Sequence, residues 1–470
     1  MRDPVAEYCD KCSVTLGPTF ALTKRNGLAP PRARPTVDAR QCRSPVTAPV
    51  STGLVLPEGI MWTTLFERFL RRLIREGHLA VSIGNGPEMT FGNGGGPKVI
   101  VRIRDQATAL RLMLDPELAL GETYMNGSLS IDGDNLHGLL AIVVRNSAQT
   151  NALSAPARVL AVSRHIRRRL DQSNPEAGAR RNVAHHYDLT PAIYDLFLDA
   201  DRQYSCGYFA DEGVSLDVAQ DAKKSHIARK LLISPGMRVF EIGCGWGGLA
   251  LALAREHGAQ VTGITLSQEQ LAIARERAKA AGLADRVSFE LMDYRAMGGQ
   301  FDRIVSVGMF EHVGAPNFGT FFDVVRDRLV EDGVALIHTI GRTAPPNATN
   351  PWIAKYIFPG GYVPSLSEVA KAIQDTGLRI GDIECLRLHY AMTLRCWFDR
   401  FSARADVAAT LKDDRFVRMW RYYLAASEQT FRHGPQDVFQ FQLCRRPDAV
   451  PITRDYLYAH PEQRLAQAAE

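Results

Sequence analysis

The sequence predicts an α/β fold, in which a doubly wound sheet of seven strands follows a smaller α+β domain. From about residue 182 onward, short β-branched and apolar runs alternate with amphipathic helical segments. That alternation is typical of a parallel sheet with helices on both faces. The first run leads into a glycine-rich turn, E-I-G-C-G-W-G-G at 241–248, and then into an apolar helix. Residues 58–160 carry shorter runs of both kinds, which indicate a separate domain of mixed structure.

Each strand of the large sheet is predicted from its own apolar run, and the opening strand contains Val239, Phe240 and Ile242. Ligands of such sheets bind beyond the carboxyl ends of the strands, so the residues that follow each strand are candidate site residues. The other predicted strands span 260–264, 287–291, 301–307, 334–340, 380–388 and 438–443, and the predicted helices include 268–281, 318–329 and 366–375.

Changes of composition predict five segments. The segment at 1–57 is rich in proline and lacks sustained periodicity, so we expect it to be disordered. The segment at 161–181 is rich in arginine, and we expect it to be a basic linker. The segments are an N-terminal extension at 1–57, the small domain at 58–160, the linker at 161–181, the large domain at 182–448 and a tail at 449–470.

The small domain begins with a predicted amphipathic helix near Met61, in which arginines alternate with an apolar face. The arginine face has two interpretations, because it is either solvated or lies against an anionic membrane. A hairpin is predicted next, with strands at 79–83 and 98–103 on either side of the glycine-rich stretch 92–96.

The composition describes an ordinary globular protein. The chain has 470 residues, of which 46% are hydrophobic and 23% charged, and its net charge of +5 does not by itself indicate nucleic-acid binding. No apolar run approaches the roughly 20 residues of a membrane span and no signal peptide opens the chain, so we expect a cytoplasmic protein. The 8 cysteines lack the spacing of a disulfide framework, and the lone C-x-x-C at Cys9 and Cys12 does not predict a metal site.

The glycine-rich turn predicts a site where a small molecule lies against backbone. Glycines allow a sharp turn without side chains, and the helix that follows offers unpaired N–H groups. The spacing is G-x-G-x-G-G, which differs from the G-x-G-x-x-G of dinucleotide binders. It resembles the first motif of class I S-adenosylmethionine methyltransferases, whose sheet is Rossmann-like. The alternative is a tight connection between strand and helix, as in any α/β protein.

Polar residues beyond the second and third strands are further candidates. Thr265 and Gln270 offer a hydroxyl and an amide to the ribose or methionine part of a cofactor. In the alternative interpretation, Thr265 or Ser267 caps the following helix, and both roles can hold together. Asp293 follows the third strand, where it either meets an adenine amino group or stabilises a turn.

Two titratable side chains follow adjacent strands, and they are the strongest chemical signal after the glycine-rich turn. Glu311 lies in V-G-M-F-E-H-V-G after the fourth strand, and His338 lies in H-T-I-G at the end of the fifth. Such groups in an otherwise apolar sheet are candidates for catalysis, although each is alternatively a satisfied polar residue under a loop. Glu311 and His312 lack the second histidine of H-E-x-x-H, so no metal is predicted.

Seven motifs occur in an order that points to one family. They are H-Y-D-L, Y-S-C-x-Y-F, E-I-G-C-G-W-G, V-G-M-F-E-H-V-G, H-T-I-G, K-Y-I-F-P-G-G and H-Y-A-M-T-L, between about residue 182 and 445. Together they resemble cyclopropane-fatty-acyl-phospholipid synthases, a family that includes the mycolic acid cyclopropane synthases. The stretch L-A-L-G-E-T-Y-M-N-G in the small domain resembles the N-terminal domain of bacterial members that act on phospholipids.

The resemblance implies a reaction and the residues that perform it. In the family, the cis double bond of an acyl chain attacks the methyl group of S-adenosylmethionine, and a bound bicarbonate takes a proton from the resulting carbocation before the ring closes. The residues implied to hold bicarbonate are Cys206, Glu311, His338, Ile340 through its backbone, and Tyr390. The implied cofactor-binding residues are Tyr204, Ser205, Glu241, Gly243, Cys244, Gly245, Trp246, Gly247, Thr265, Leu266, Ser267, Gln270, Asp293 and Tyr294.

The resemblance also implies a setting for the reaction. The substrate would be unsaturated phospholipid acyl chains, and the protein would be a homodimer associated peripherally with the inner face of the membrane, with no nucleic-acid partner. Aromatic rings at Tyr204, Tyr208 and Phe209 would stabilise the cations by cation–π contact. The arginines available for docking are Arg68, Arg71, Arg72, Arg167, Arg168 and Arg169.

Two positions depart from the family pattern, and three other functions stay open. Glu241 stands where members commonly carry aspartate, and Ser427 stands where some carry a cysteine, so we assign Ser427 no role. One alternative is a methyl- or methylene-branched product. A second is N-methylation of a small amine, which would leave Cys206 and Tyr390 without bicarbonate to hold. The third is a non-catalytic lipid-binding protein, against which the glycine-rich turn and the titratable pair argue.

Overall fold

The computed structural model describes residues 58–147, 154–172 and 190–458. The predictions for residues 1–57 with their C-x-x-C, for the H-Y-D-L motif and for the end of the tail lie outside these residues. All the described residues belong to one compact unit, Leu56–Glu470, which contains two sheets. The division of this unit into a small and a large domain therefore stays a prediction.

The smaller sheet has four strands in the order β2-β1-β3-β4. The amphipathic helix predicted near Met61 is present and begins at Glu58. Alternate residues of one strand, Val99, Val101 and Ile103, point into the core, as their period of two predicts. The elements are α1 Glu58–Leu73, β1 Leu79–Ile83, β2 Met89–Phe91, β3 Val99–Ile103, α2 Gln106–Leu114, α3 Pro116–Met125, β4 Leu129–Ile131 and α4 Leu136–Ser147.

The predicted hairpin between 79–83 and 98–103 is wrong. β1 and β3 are parallel, and the antiparallel neighbour of β1 is the short strand β2. The glycine-rich stretch belongs instead to the connection between β2 and β3. Gly92 has a φ of +93°, and a Cβ there would lie 2.2 Å from the Gly77 carbonyl oxygen. Glycine is thus required for a close approach of two backbone segments rather than for a hairpin turn.

About half of the predicted basic linker is helical. Helix α5, Ala155–Asp171, contains residues 161–171 of that stretch, whereas 173–181 lie outside the described residues. The helix is attached to the small sheet region, because Arg164 Nη2 donates to Asp115 Oδ2 at 2.5 Å and Ala157 is buried. Arginine, alanine and leucine favour helix, so a basic stretch can form a helix as readily as an irregular linker.

The larger sheet has seven strands in the order β10-β11-β9-β8-β5-β6-β7, which confirms the predicted fold class. Its neighbouring strands are parallel except that β11 runs opposite to β9 and β10. The predicted strand at 380–388 ends earlier, because a helix begins at Leu388. The strands are β5 Arg238–Ile242, β6 Gln260–Thr265, β7 Val287–Leu291, β8 Phe301–Val307, β9 Leu329–Arg342, β10 Arg379–Cys385 and β11 Gln436–Cys444.

The helices of the larger sheet cover its faces and its carboxyl edge. Two long ones, α13 (Leu388–Ser402) and α15 (Asp414–His433), pack against each other, and α15 also packs against α3 and α4. None of the helices in the described part of the chain is both long and apolar enough to span a membrane. The helices are α6 Pro191–Tyr194, α7 Leu216–Lys230, α8 Gly248–His257, α9 Gln268–Ala280, α10 Phe318–Arg328, α11 Pro351–Tyr356, α12 Leu366–Thr376, α13 Leu388–Ser402, α14 Ala405–Leu411, α15 Asp414–His433 and α16 Asp455–Tyr458.

Candidate active site

A cavity of about 460 Å³ lies beyond the carboxyl ends of β5, β6, β8 and β9, where an α/β sheet of this type binds ligands. Residues of α13 and α15 line it as well. Of the predicted site residues, only Gly247 and Ser267 do not line it. The predicted residues that do are Tyr204, Ser205, Cys206, Glu241, Gly243, Cys244, Gly245, Trp246, Thr265, Leu266, Gln270, Asp293, Tyr294, Glu311, His338, Ile340 and Tyr390.

The glycine-rich turn brings backbone to the cavity wall. Gly243 and Gly245 have φ values of +84° and +53°, in the left-handed region that side chains disfavour. Gly247, at φ +83°, is the N-cap residue of α8, and a Cβ there would lie 2.6 Å from the ring of Phe289. Gly247 therefore serves the packing of the turn, while its neighbours face the cavity.

Glu241 is the penultimate residue of β5, beside this turn, and carries an unsatisfied oxygen. The side chain is 3% exposed, and within the described residues its Oε2 has no hydrogen-bond partner. Burial raises the pKa of Glu241 to about 8. An unpaired carboxyl oxygen in a buried cavity fits a ligand that brings a positive charge or a hydrogen-bond donor.

The polar residues after β6 and β7 have structural roles as well as cavity positions. Ser267 Oγ accepts from the Gln270 N–H at 3.2 Å, so Ser267 caps α9, as the alternative interpretation predicts. Thr265 Oγ1 donates to Gln270 Oε1 at 2.9 Å, and both side chains line the cavity. Asp293 Oδ1 accepts from the Arg295 N–H at 3.0 Å, so this aspartate stabilises a turn and also faces the cavity.

Glu311 is the second buried carboxyl group of the cavity. It lies in the 3₁₀ turn Phe310–His312 after β8, and its Oε1 accepts from the Ile340 N–H at 2.6 Å. Its Oε2 is buried and, within the described residues, has no partner. Burial raises the pKa of Glu311 to about 7. Because the Ile340 N–H is used by Glu311, Ile340 holds the carboxylate in place.

His338 is buried at the end of the parallel part of β9. The Gln440 Nε2 donates to its Nδ1 at 3.1 Å, which leaves the Nε2–H of the ring as a donor. Burial lowers the pKa of His338 to about 3, so the ring is neutral at physiological pH. In the described ranges, no three His, Cys, Asp or Glu side chains are grouped as a metal site requires.

Cys206 and Tyr390 complete the set that the resemblance implies for bicarbonate. Burial raises the pKa of the Cys206 thiol and of the Tyr390 hydroxyl, so both groups are neutral donors. Cys206 and Glu311 both lie close enough to Tyr390 to raise its pKa further when they are ionised. This set thus combines the carboxyl group of Glu311 with three neutral groups that can donate, the His338 ring, the Tyr390 hydroxyl and the Cys206 thiol, which here donates to the Gly207 carbonyl oxygen at 3.3 Å.

The aromatic residues at the site differ from those predicted. Tyr204 lines the cavity, and its hydroxyl is 3.2 Å from that of Tyr423. Tyr208 and Phe209 do not line it, because Tyr208 is stacked between His226 and His389, with ring centroids 4.2 and 5.0 Å away. The cavity aromatics that the sequence did not reveal are Trp352, Phe358, Tyr362, Tyr422, Tyr423 and Phe431.

Lys223 is a cavity residue that the sequence did not reveal. Its Nζ donates to Gln203 Oε1 at 2.6 Å and to Ser205 Oγ at 2.7 Å, although the side chain is only 1% exposed. Burial lowers its pKa to about 8. The residue lies in α7, whose many charged residues resemble a solvated helix, so no sequence signal marked it.

Comparison with known proteins identifies the family. The family model described as mycolic acid cyclopropane synthetase matches residues 175–441. The cyclopropane-fatty-acyl-phospholipid synthase of Escherichia coli K12 is 38% identical over 75% of this chain and 89% of that protein. The chain belongs to the cyclopropane synthase family. It is therefore an S-adenosylmethionine-dependent methyltransferase, and the family resemblance of the sequence is confirmed.

Other members of the cyclopropane synthase family are also similar. The tuberculostearic acid methyltransferase UfaA1 of Mycobacterium tuberculosis is 35% identical over 86% of this chain and 95% of that protein. The crystal structure of mycolic acid cyclopropane synthase CmaA1, complexed with SAH and CTAB, has a TM-score of 0.54 at 31% identity and covers 58% of this chain and 99% of its own. A model described as a domain of unknown function matches residues 65–153.

Proposed function

We propose that this cyclopropane synthase adds a methylene group from S-adenosylmethionine to the cis double bond of unsaturated phospholipid acyl chains. The cofactor supplies the methyl group of a sulfonium, and bound bicarbonate supplies a weak base. A C–C bond forms to one alkene carbon as the S–C bond breaks, which leaves a cation on the other carbon. The transferred methyl group must then lose one proton for the ring to close.

The unpaired Oε2 of Glu311 is the observation that carries the proposal. Bicarbonate has one O–H donor and charged acceptor oxygens, so it requires one acceptor and several donors. Glu311 offers the acceptor, and His338 and Tyr390 offer neutral donors in the same cavity, to which the Cys206 thiol adds a third when it turns from the Gly207 carbonyl oxygen. A base held in this way accepts a proton without attacking the carbocation as a strong nucleophile would.

The cofactor side of the proposal rests on the glycine-rich turn and the residues around it. The left-handed glycines bring backbone to the cavity wall, and Glu241 places an unpaired carboxyl oxygen beside them. A carboxylate there attracts the positive charge of the cofactor, which in turn lowers the carboxyl pKa. The buried aromatic lining excludes water from a carbocation and favours its charge through the ring faces.

The proposal includes docking on the inner face of the membrane. Exposed apolar residues occur beside arginines on two helices, with Trp62 and Leu65 on α1 and Val159 and Ile166 on α5. Such faces suit the boundary between lipid head groups and acyl chains. Sedimentation with anionic and with neutral vesicles tests this docking, and light scattering of the purified protein tests the homodimer that the family resemblance implies.

Product analysis tests the proposed reaction. We would incubate the purified protein with labelled S-adenosylmethionine and vesicles of a monounsaturated phospholipid, with saturated phospholipid vesicles as the control. The expected product is the unsaturated lipid with one added CH₂ and with ring protons in its NMR spectrum. Absence of any labelled lipid would contradict the proposal.

A second candidate is methylation of the acyl chain without ring closure. Two relatives are named as methyltransferases, UfaA1 and the probable fatty acid methyltransferase of Pseudomonas putida, which is 36% identical over 78% of this chain and 93% of that protein, and they support this candidate less than the ring-forming reaction. The same experiment separates the candidates, because a branched chain gives methyl or methylene resonances in place of ring protons.

A further inference from the structure

A second cavity, of about 340 Å³, adjoins the active-site cavity. The two cavities share Thr349 and Gly361 as lining residues. Helix α11 separates them, because Trp352 and Ile353 line the active-site cavity whereas Lys355 lines the second one. A molecule that extends from one cavity to the other would therefore pass this short helix.

Among the described residues, the second cavity is lined by several hydrogen-bond donors and by no carboxylate. Its charged residues are Arg164, Arg168 and Lys355. Gln172 is 4% exposed, and its buried Nε2 has no partner among the described residues. An unsatisfied buried amide donor beside cationic groups requires an acceptor, and an anion with several oxygens supplies it.

Two of the three cations already have carboxylate partners outside the cavity. Arg164 pairs with Asp115, and Lys355 Nζ is 2.7 Å from Glu122 Oε1. Arg168 hydrogen-bonds to the ring of His165, and no carboxylate of the described residues pairs with it. Arg168 and Gln172 are thus the groups with unused capacity to bind an anion.

We propose that this cavity binds the phosphodiester of the phospholipid whose acyl chain enters the active-site cavity. This inference deepens the proposed function and rests on it. A guanidinium binds two phosphate oxygens at once, and an amide N–H completes the contact. The glycerol links the phosphate to the acyl chain, so the two must occupy adjoining cavities.

The test compares two substrates with the same monounsaturated chains, a zwitterionic phospholipid and a diacylglycerol without phosphate. Both are presented in micelles of a neutral detergent, so that surface charge does not contribute. Arg168→Gln is expected to raise the KM for the phospholipid about ten-fold and to leave diacylglycerol turnover unchanged. The control is Arg286→Gln, at an exposed arginine that lines neither cavity and has no assigned role, and it should change neither quantity.

Gln172→Glu is a second variant, which places a carboxylate in the cavity and should also raise only the phospholipid KM. Equal losses on both substrates, or an equal loss in Arg286→Gln, would overturn the assignment while wild-type product formation still supports the reaction. If inorganic phosphate alters diacylglycerol turnover in wild type but not in Arg168→Gln, the cavity holds free phosphate and the assignment is wrong. Absence of product from wild type on both lipids would refute the proposed function itself.

Discussion

Glu241 and Glu311 line the same cavity and are both buried, yet their surroundings differ. Each has one oxygen, Oε2, without a partner among the described residues, and burial raises the pKa of each, to about 8 and about 7. The ammonium of Lys223 acts on Glu241. Among the described residues, no cationic side chain acts on Glu311, and its Oε1 accepts from the neutral Ile340 N–H.

The difference indicates a division of labour between two sides of one cavity. A carboxylate near an ammonium, at the start of a glycine-rich turn, suits a cofactor that carries both a cation and a carboxylate. A carboxylate among neutral donors suits a small hydrogen-bonded base, because no fixed cation competes for it. Substitutions at the two glutamates should therefore affect different kinetic constants.

The largest effect is expected for Glu311→Gln. The amide keeps the shape of the side chain but offers no charged acceptor, so product formation should fall about a hundred- to ten-thousand-fold. Affinity for S-adenosylmethionine, measured by calorimetry, should stay within about two-fold. The control is Ser427→Ala, a cavity-lining change at a residue with no assigned role. If Glu311→Gln also lost cofactor affinity, the proposed division of labour between the two glutamates would be contradicted.

The reverse pattern is expected for Glu241→Gln. Loss of the charged acceptor should raise the Kd for S-adenosylmethionine about ten-fold or more. Turnover at saturating cofactor should fall less than in Glu311→Gln, because Glu241 contacts no residue that the mechanism assigns to the base. Calorimetry and initial rates of lipid product measure the two quantities. Unchanged affinity with a large loss of turnover would show that Glu241 belongs to the catalytic side.

A smaller effect is expected for two hydrogen bonds that hold Cys206 near Tyr390, which we call the clamp. The Phe209 N–H donates to His389 Nδ1 at 2.9 Å, and the Gly207 N–H donates to Thr393 Oγ1 at 3.0 Å. These bonds attach the chain on either side of Tyr208 to the helix that carries Tyr390. His389→Ala should lower kcat about ten-fold through misplacement of the donors, with cofactor affinity unchanged.

The control for the clamp is His433→Ala, at a histidine that pairs with Arg145 away from the cavity. His389→Asn is expected to recover part of the activity, because its side-chain oxygen can accept from the Phe209 N–H. Full activity in His389→Ala would mean that the position of Cys206 does not depend on this clamp.

The large sheet was predictable because each strand has its own apolar run and its own turn. The glycine-rich turn, Glu311 and His338 were predictable for the same reason, since they follow those strands directly. The small sheet was less predictable from the sequence. Strand β2 has only three residues, and the glycines between β2 and β3 look like a hairpin turn although Gly92 serves a close backbone approach.

The directions of the side chains were the part of the site that could not be predicted from the sequence. Tyr204 and Tyr208 are four residues apart in one motif, yet only Tyr204 faces the cavity, because two histidine rings from distant helices stack on Tyr208. Lys223 and Lys224 are adjacent in a charged helix, and only Lys223 lines the cavity. Both outcomes depend on packing partners that are remote in sequence.

The smallest expected effect is on the stability of the cofactor-free protein, and it tests whether burial alone controls Glu241. Folding raises the pKa of Glu241 from 4.5 to about 8, so the folded chain binds this proton more tightly than the unfolded chain does. The stability that this group contributes is fully present below pH 4.5 and is lost as the pH rises through about 8.

Glutamine resembles the protonated carboxyl group but does not titrate. The melting temperature of Glu241→Gln, relative to that of wild type, should therefore rise by about 2 °C or more between about pH 6 and about pH 9. Glu331→Gln is the control, because its carboxylate is exposed and the difference from wild type should not vary with pH. If the melting curves of Glu241→Gln and wild type stay parallel over this range, Glu241 is already charged in the free protein, and Lys223 rather than the cofactor would be its counter-ion.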